Sequence, residues 1–151
     1  MTTKRTQARQ AALQLLFMHD QNDAVVREDV MRYLRERLPD PEAQDFALGL
    51  YDGTLAQRLD IDTRIRGAAD NWRLERIAIL DRNALRLGAY ELMHGESGPP
   101  GAVMNETIEL ARTFGSGESP GFVNAVLDRI LREWTAAKET AEVAPTESPV
   151  P

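Results

Sequence analysis

Apolar residues recur at helical spacing along most of this chain, and this periodicity restricts the fold more than any other feature. The last strong stripe consists of Val123, Val126, Leu127, Ile130, Leu131 and Trp134. Such spacing places side chains on one face of an α-helix. No segment shows the alternation of apolar and polar residues that is typical of a half-buried strand. The sequence therefore predicts an all-α protein.

Turn-forming and capping residues divide the chain into about seven predicted helices. Asp40 is a predicted N-cap with Pro41 at the first helical position, a favoured pair at a helix start. Asp81 is the predicted N-cap of a later helix. The predicted segments are one that begins after Thr2 or Thr3, then 28–38, 41–66, 74–80, 82–94 and 102–114, and a last helix that starts at Ser119-Pro120 and ends between Trp134 and Lys138.

The length of 151 residues allows one domain, or two small subdomains that share a core. Beyond Lys138 the sequence contains three prolines and little to bury, so we predict that residues 139–151 are disordered. Gly49 and Gly53 lie four residues apart in one predicted helix, where each lowers helix propensity. This pair indicates close packing between helices.

The composition excludes several classes of protein and site. The chain has no cysteine and two histidines, which excludes disulfides, thiol catalysis and cysteine-based zinc sites and argues against a histidine-rich metal centre. No stretch is long and apolar enough for a membrane helix, and the charged N-terminus lacks the apolar core of a signal peptide. We therefore expect a cytoplasmic protein without a metal or cofactor.

Positive charge is concentrated in two parts of a chain whose net charge is −6. Lys4, Arg5 and Arg9 lie at the start of the first helix, where the helix dipole disfavours positive charge. This unfavourable position is an argument for a functional role of the three cations. Residues 64–86 carry six arginines against three acids. Such patches can bind a polyanion. The alternative, which charge alone favours, is that the arginines are solvated and paired with nearby acids.

No set of side chains has the spacing of a catalytic site, so we predict that the protein is not an enzyme. His19 and His94 each fall near a predicted helix C-terminus, where we interpret them as partners of the dipole rather than metal ligands. The glycine-rich stretch 115–121 has neither Walker spacing nor a preceding strand. The helix start at 120–123 offers backbone N–H groups that can meet a phosphate. Phe122 in that turn is either a packing residue or a stacking platform for an unpaired base.

Three blocks of the sequence form a recognisable pattern because of their order. The first is Ala8-Arg9-x-x-Ala12-Leu13-Gln14-x-Leu16-Phe17. The second runs from Asn71-Trp72-x-Leu74-x-Arg76 through Asp81-Arg82 to Tyr90-Glu91-Leu92. The third and most specific runs from Val103-x-Asn105-Glu106 through Phe114-Gly115 to Phe122-Val123-Asn124. In this order, over about residues 4 to 132, the blocks resemble the NusB family of bacterial transcription antitermination factors.

The resemblance implies one domain, 1–138, of two small packed helical bundles, about 1–67 and 68–138. It also implies binding of boxA RNA of ribosomal RNA transcripts together with the ribosomal protein NusE, in a complex that lets RNA polymerase read through terminators. The implied RNA-binding residues are Lys4, Arg5, Arg9, Glu118 and Phe122. The implied surface for NusE contains Phe17, Glu75, Arg76 and Asp81. Asn105, Glu106 and Asn124 carry the strongest motif, and we interpret them as structural, through hydrogen bonds at loops and helix ends.

The chain departs from the family pattern in its cations. Many members have a denser N-terminal arginine cluster, whereas Thr6 and Gln7 separate Arg5 from Arg9 here, and Gly121 stands where a lysine is common. We therefore expect weaker RNA binding by the chain alone than in a more basic relative, and a stronger dependence on NusE. Two other functions remain open. One is a helical protein-interaction module, as occurs fused to ribosomal RNA methyltransferases, and the other is a homodimer whose RNA surface is masked.

Overall fold

The computed structural model describes residues 3–70, 73–95 and 97–143, and these residues contain seven α-helices and no strand. The helices are α1 (Lys4–Gln21), α2 (Arg27–Arg37), α3 (Pro41–Ala56), α4 (Arg58–Ala68), α5 (Ile79–His94), α6 (Pro100–Phe114) and α7 (Ser119–Val143). A 3₁₀ turn, Leu74–Arg76, lies between α4 and α5. The all-α prediction is confirmed. The Asn71-Trp72 pair of the second sequence block lies outside the described residues.

Local side-chain caps explain where two of the helices begin. The Thr3 hydroxyl accepts a hydrogen bond from the Thr6 N–H at 3.0 Å, and the Asp40 carboxylate accepts one from the Glu42 N–H at 2.9 Å. Asp81, in contrast, is not an N-cap. The Arg82 N–H donates to the carbonyl of Ala78 at 2.8 Å, which starts α5 at Ile79 and places Asp81 in the first turn of the helix. A carboxylate there still interacts favourably with the dipole.

Three predicted helix lengths were wrong. The segment 41–66 is interrupted at Gln57, after Thr54 donates its hydroxyl hydrogen to the Leu50 carbonyl at 2.6 Å, a bond that bends helices. The segment 74–80 contains only the 3₁₀ turn before α5 begins. Helix α7 continues past Lys138 to Val143, because 139–143 contain no proline or glycine, so the first part of the predicted disordered tail is helical. Residues 144–151 lie outside the described part of the chain.

Two clusters of buried apolar residues fill the interior, and α5 contributes to both. The first joins α1, α2 and α3 to Ala84 and Leu87 of α5. The second joins α4, α6 and α7 to Leu85 and Ala89 of α5. Helix α4 therefore packs in the second cluster, although the sequence analysis assigned it to the N-terminal bundle. None of the described helices is long and apolar enough to cross a membrane.

Buried ion pairs connect α5 to its neighbours, because a helix that is covered on all sides must pair its charged groups internally. Arg86 donates to both carboxylate oxygens of Asp62 on α4, at 2.8 and 3.1 Å, and to Asp20 on α1 at 3.2 Å. Burial alone would raise the pKa of Asp20. Hydrogen bonds from Arg82 and Asn83 and the charge of Arg86 outweigh burial and hold this pKa below its ordinary value of 3.8.

The two glycines of α3 occupy different environments, so opposite effects are expected from alanine substitutions. A Cβ at Gly53 would lie 2.1 Å from the Tyr90 ring, whereas nothing lies within 4 Å at Gly49. We expect Gly53→Ala to lower the free energy of unfolding by about 1–3 kcal/mol through overpacking. Gly49→Ala should raise it by about 1 kcal/mol through helix propensity. Urea unfolding of both variants measures this, and equal effects would contradict the close packing at Gly53.

Candidate nucleic-acid interface

The two outermost cations of α1 are accessible but already have partners. Lys4 forms an ion pair with Asp40 at the start of α3, and its side chain remains 73% exposed. The Arg5 guanidinium lies 4.9 Å from the centroid of the Phe46 ring and donates a hydrogen bond to the Ser97 carbonyl. Exposed contacts of this kind contribute little stability. Both cations can therefore exchange these partners for a phosphate.

Arg9 has a different position from the one that the sequence analysis gave it. It is 5% exposed, and its Nε and Nη2 donate to the two carboxylate oxygens of Glu91 at 2.9 and 2.8 Å. The Ser97 hydroxyl donates to the same carboxylate at 2.7 Å. The helical register of α1 points Arg9 inward, on the same side as Ala8 and Ala12, which are also buried. Arg9 is therefore a structural ion-pair residue that joins α1 to α5.

The arginines of residues 64–86 form no continuous basic patch. Four of them have acidic partners: Arg64 with Asp60, Arg66 with Glu75, Arg82 with Asp20, and Arg86 with Asp62 and Asp20. For Arg64 and Arg66 the favoured interpretation, solvated side chains paired with nearby acids, agrees with the structure. Arg82 and Arg86 are instead largely buried and pair with acids of other helices. Within the described residues, Arg73 and Arg76 form no ion pair, and both are exposed. Of these two arginines, Arg76 lines a groove between α5 and α7.

Four of the predicted site residues meet in a single groove of about 240 Å³ between the start of α5 and the start of α7. We call it the α5–α7 groove, and its lining residues are Arg76, Ile77, Ala78, Asp81, Ser116, Glu118 and Phe122. Glu118 and Phe122 were predicted to contact RNA. Arg76 and Asp81 were predicted to contact NusE. The folded chain thus brings together residues from both predicted surfaces.

The polar groups of the α5–α7 groove are suited to bind hydrogen-bond donors as well as a phosphate. Asp81 is 9% exposed, and its Oδ1 is buried without a hydrogen-bond partner among the described residues. Such an atom gains free energy when a ligand donates to it. The exposed carboxylate of Glu118 is a second acceptor, and Arg76 is the cation. Phe122 is half-buried and packs against the second core cluster while it lines the groove, so it is at least a packing residue.

The helix start beside this groove offers fewer phosphate donors than predicted. The N–H of Phe122 donates to the Glu118 carbonyl at 3.1 Å, and the Ser119 hydroxyl accepts from the Ser116 N–H at 3.0 Å. Pro120 has no N–H at all. A ligand in the α5–α7 groove would therefore bind through side chains more than through the helix N-terminus.

Phe17 and Glu75 do not line the α5–α7 groove. Phe17 is an exposed aromatic residue on α1, with 36% of its surface accessible. Glu75 is exposed in the 3₁₀ turn, and its carboxylate lies 3.7 Å from Arg66. A hydrogen bond from its own backbone N–H lowers the pKa of Glu75, and the charge of Arg66 adds to this effect. Glu75 therefore presents a negative charge beside Arg76, next to the groove rather than inside it.

The three residues of the strongest sequence motif lie in two kinds of environment: one is partly buried and has polar partners, and two are exposed. Glu106 accepts a hydrogen bond from the Thr6 hydroxyl at 3.0 Å and lies 3.9 Å from Arg9, which agrees with a structural role. Asn105 and Asn124 are exposed, and neither side chain makes a hydrogen bond to another described residue. The predicted loop and helix-end bonds are thus absent for these two asparagines in the described part of the chain.

A second groove, which the sequence analysis missed, lies between α1, α2 and the C-terminal end of α6. Its volume is about 430 Å³. The residues that matter here are Gln7, Gln10, Gln14, Tyr33, Arg37 and Phe114, and we call it the glutamine groove. The spacing of the three glutamines along α1 was a signal in the sequence, because positions three and seven apart share a helix face.

Among the described residues, no group of acids and histidines could hold a metal ion.

Comparison with known proteins assigns the family. The sequence profile described as the NusB family matches residues 6–132, from α1 into α7. The chain belongs to the NusB family. The transcription antitermination protein NusB of Sorangium cellulosum is 44% identical over 83% of this chain and 90% of its own length. That of Solibacter usitatus is 40% identical over 85% of this chain and 89% of its own length. Both are named for transcription antitermination rather than for a catalysed reaction.

Solved structures of NusB proteins share the fold. T. maritima NusB superposes with a TM-score of 0.81 at 34% identity, over 95% of this chain and all of its own. A crystal structure of the antitermination factors NusB and NusE in complex with double-stranded RNA gives a TM-score of 0.78 at 28% identity, over 88% of this chain and 99% of that chain. The resemblance to the NusB family is thus confirmed by sequence and by fold.

Proposed function

We propose that this chain is an RNA-binding transcription antitermination factor that binds boxA RNA of ribosomal RNA transcripts together with NusE and helps RNA polymerase read through terminators. The observation that carries the proposal is the α5–α7 groove. Glu118 and Phe122, assigned to RNA, line it together with Arg76 and Asp81, assigned to NusE. The solved complex of a NusB protein with NusE and RNA supports the same pair of ligands.

A shared groove gives a physical reason for cooperative binding. An RNA base held against Phe122 and a NusE segment held at Asp81 would touch each other, so each ligand would add contacts for the other. The resulting coupling free energy is reciprocal, and RNA must tighten NusE binding by the same factor by which NusE tightens RNA binding. The unpartnered Oδ1 of Asp81 favours a partner segment that brings an N–H donor.

The RNA itself would be held by cations that set its position and by groups that read its bases. Lys4 and Arg5 at the start of α1 are cations that we assign to phosphates. We also reassign Arg76 from NusE to an RNA phosphate, because it is exposed and lines the α5–α7 groove beside Glu118 and Phe122. Glu118 can accept from an exocyclic amino group, and Phe122 can stack on an exposed base. Arg9 no longer belongs to this set, because it is buried against Glu91.

Binding to boxA RNA in the presence of NusE tests the proposal directly. Fluorescence anisotropy should show tighter binding to boxA RNA than to a scrambled RNA, and NusE should increase the difference. Phe122→Ala should weaken boxA binding about tenfold through lost stacking. Glu118→Ala provides a second variant, because Glu118 is exposed and its loss leaves the fold intact. Leu59→Ala, an exposed apolar residue on α4 outside both grooves, is the control.

Three outcomes would contradict the proposal. Equal binding of boxA and scrambled RNA, even with NusE present, would mean that the chain does not recognise the boxA sequence. RNA binding that weakens as the protein concentration rises, with a dimer mass by light scattering, would favour the masked homodimer. A protein-interaction module would bind NusE with no effect of RNA on that affinity.

The salt dependence of RNA binding should be shallow. With Lys4, Arg5 and Arg76 as phosphate contacts, the slope of log affinity against log salt concentration should be about −2 for single-stranded RNA. We expect the chain alone to bind more weakly than a relative with a denser N-terminal arginine cluster. Anisotropy titrations at several salt concentrations measure the slope. A slope steeper than about −3.5, as for five or more contacts, would disprove the assignment.

A further inference from the structure

The glutamine groove has an unusual lining for a chain with a net charge of −6. Of the residues that line it, none is acidic, and Arg37 is its one cation. Arg37 forms no ion pair with another described residue, and its guanidinium lies 5.3 Å from the centroid of the Tyr33 ring. This groove is therefore a locally positive depression on an acidic protein, which favours an anionic ligand.

Three neutral amides line one wall of the groove. Gln7, Gln10 and Gln14 follow one another along α1, and none of their side-chain amides has a hydrogen-bond partner among the described residues. A primary amide offers a donor and an acceptor side by side, which matches the edge of a nucleobase. Amides also carry no charge, so they discriminate between ligands by hydrogen bonding rather than by attraction.

Two aromatic rings from other helices line the same groove. Phe114, at the end of α6, is 45% exposed, and Tyr33 of α2 is half-buried. Burial keeps the pKa of the Tyr33 hydroxyl above its ordinary value of 10.0, although the nearby Arg37 partly opposes this, so the hydroxyl remains a hydrogen-bond donor at neutral pH. Exposed aromatic faces are the surfaces on which unpaired bases stack.

The glutamine groove and the α5–α7 groove lie on either side of the short connection between α6 and α7. Phe114 is the last residue of α6 and lines the first groove, whereas Ser116 and Glu118 line the second. Lys4 lies one helical turn before Gln7, on the same side of α1. A single strand could therefore pass from Lys4 through the glutamine groove and over this connection to Phe122.

We propose that the glutamine groove binds one unpaired nucleotide of the RNA, with its base between the glutamine amides and the aromatic rings and its phosphate at Arg37. This inference rests on the proposed function and extends it, because it adds a second base-reading site to the one at Phe122. The amides are the specificity-determining groups. The aromatic rings and Arg37 supply affinity for any nucleotide, and the additional phosphate contact at Arg37 changes the expected salt slope from about −2 to about −3.

Abasic substitutions in the RNA test this assignment. With wild-type protein and NusE, boxA RNAs that lack one base at a time should include one position, distinct from the base assigned to Phe122, at which the loss weakens binding about tenfold. The double variant Gln10→Ala/Gln14→Ala should bind intact boxA RNA about tenfold more weakly. At that one position the loss of the base should then weaken binding clearly less than it does with wild-type protein, because only the aromatic contacts remain to be lost, while other positions keep their effects. Gln21→Ala, an exposed glutamine at the end of the same helix, is the matched control.

The possible failures are distinguishable. If the double variant binds boxA RNA like wild type, the glutamine groove does not hold RNA. If it keeps RNA affinity but loses NusE affinity, the occupant is a protein segment, and the inference is wrong. If wild-type protein does not prefer boxA, the proposed function fails first. The same variants are then compared on scrambled RNA, where a tenfold loss supports a nucleotide in the groove and unchanged binding overturns it.

Discussion

Arg9→Ala is expected to lower the free energy of unfolding by about 3–5 kcal/mol, because it leaves the Glu91 carboxylate buried without its cation. Both partners are almost fully covered, and the pair is bidentate. A loss of this size is a large part of the total stability of a small domain. Any loss of RNA binding by this variant should therefore follow the fraction of unfolded protein, as measured by urea unfolding and anisotropy on the same samples.

A control variant and a compensating double variant test this prediction further. Arg132→Ala breaks an exposed ion pair with Asp128 and should change stability by less than about 1 kcal/mol. The double change Arg9→Met/Glu91→Leu replaces both charges by apolar side chains and should recover much of the lost stability. If Arg9→Ala instead keeps wild-type stability and loses RNA affinity, Arg9 is an RNA contact after all.

Arg86→Ala is expected to destabilise the protein by a similar amount, about 3–5 kcal/mol, and to change its pH dependence. Arg86 is 7% exposed and is the ion-pair partner of Asp62, which is itself buried, while it also contacts Asp20. Its removal leaves a buried carboxylate without a cation. Urea unfolding at neutral pH measures the loss, and Arg27→Ala, which breaks an exposed bidentate pair with Asp52, is the control.

The pH dependence follows from the lowered pKa of Asp20. In the wild-type protein this carboxylate stabilises the fold fully above its unfolded-state pKa, and the contribution is lost as pH falls through 3.8 towards the lower folded-state value. Arg86→Ala removes one cause of the lowering, and protonation then relieves the buried charges. The stability difference between wild type and variant should therefore be largest near neutral pH and shrink below about pH 4. A difference that is independent of pH would contradict this account.

The position of the arginines decides how RNA-binding experiments on this protein should be designed. In an alanine scan of the basic residues, substitution of Arg9, Arg82 or Arg86 would have a large effect, because each forms an ion pair with a carboxylate in the interior. Their substitution disturbs the fold rather than an RNA contact. Lys4, Arg5 and Arg76 are exposed, so their substitution reports on binding with little effect on stability.

Much of the fold was predictable because its determinants are local. The apolar stripe of α7 and the caps Thr3 and Asp40 act over three or four residues, so their effects can be deduced from spacing alone. Four of the seven residues that line the α5–α7 groove were also named from the sequence, through the family resemblance. Their meeting in one groove was not predicted, because Arg76 and Glu118 come from parts of the chain that only packing brings together.

Residue spacing and motifs thus establish that the chain is helical, where most helices begin, and to which family it belongs. Only the packing of the helices establishes which charged groups face solvent. Arg5 and Arg9 lie four residues apart on one helix, yet only Arg9 is buried, against Glu91, which lies 82 residues away in the sequence. Helical periodicity sets the side of α1 on which each residue lies, but whether that side meets water or another helix depends on contacts between distant parts of the chain.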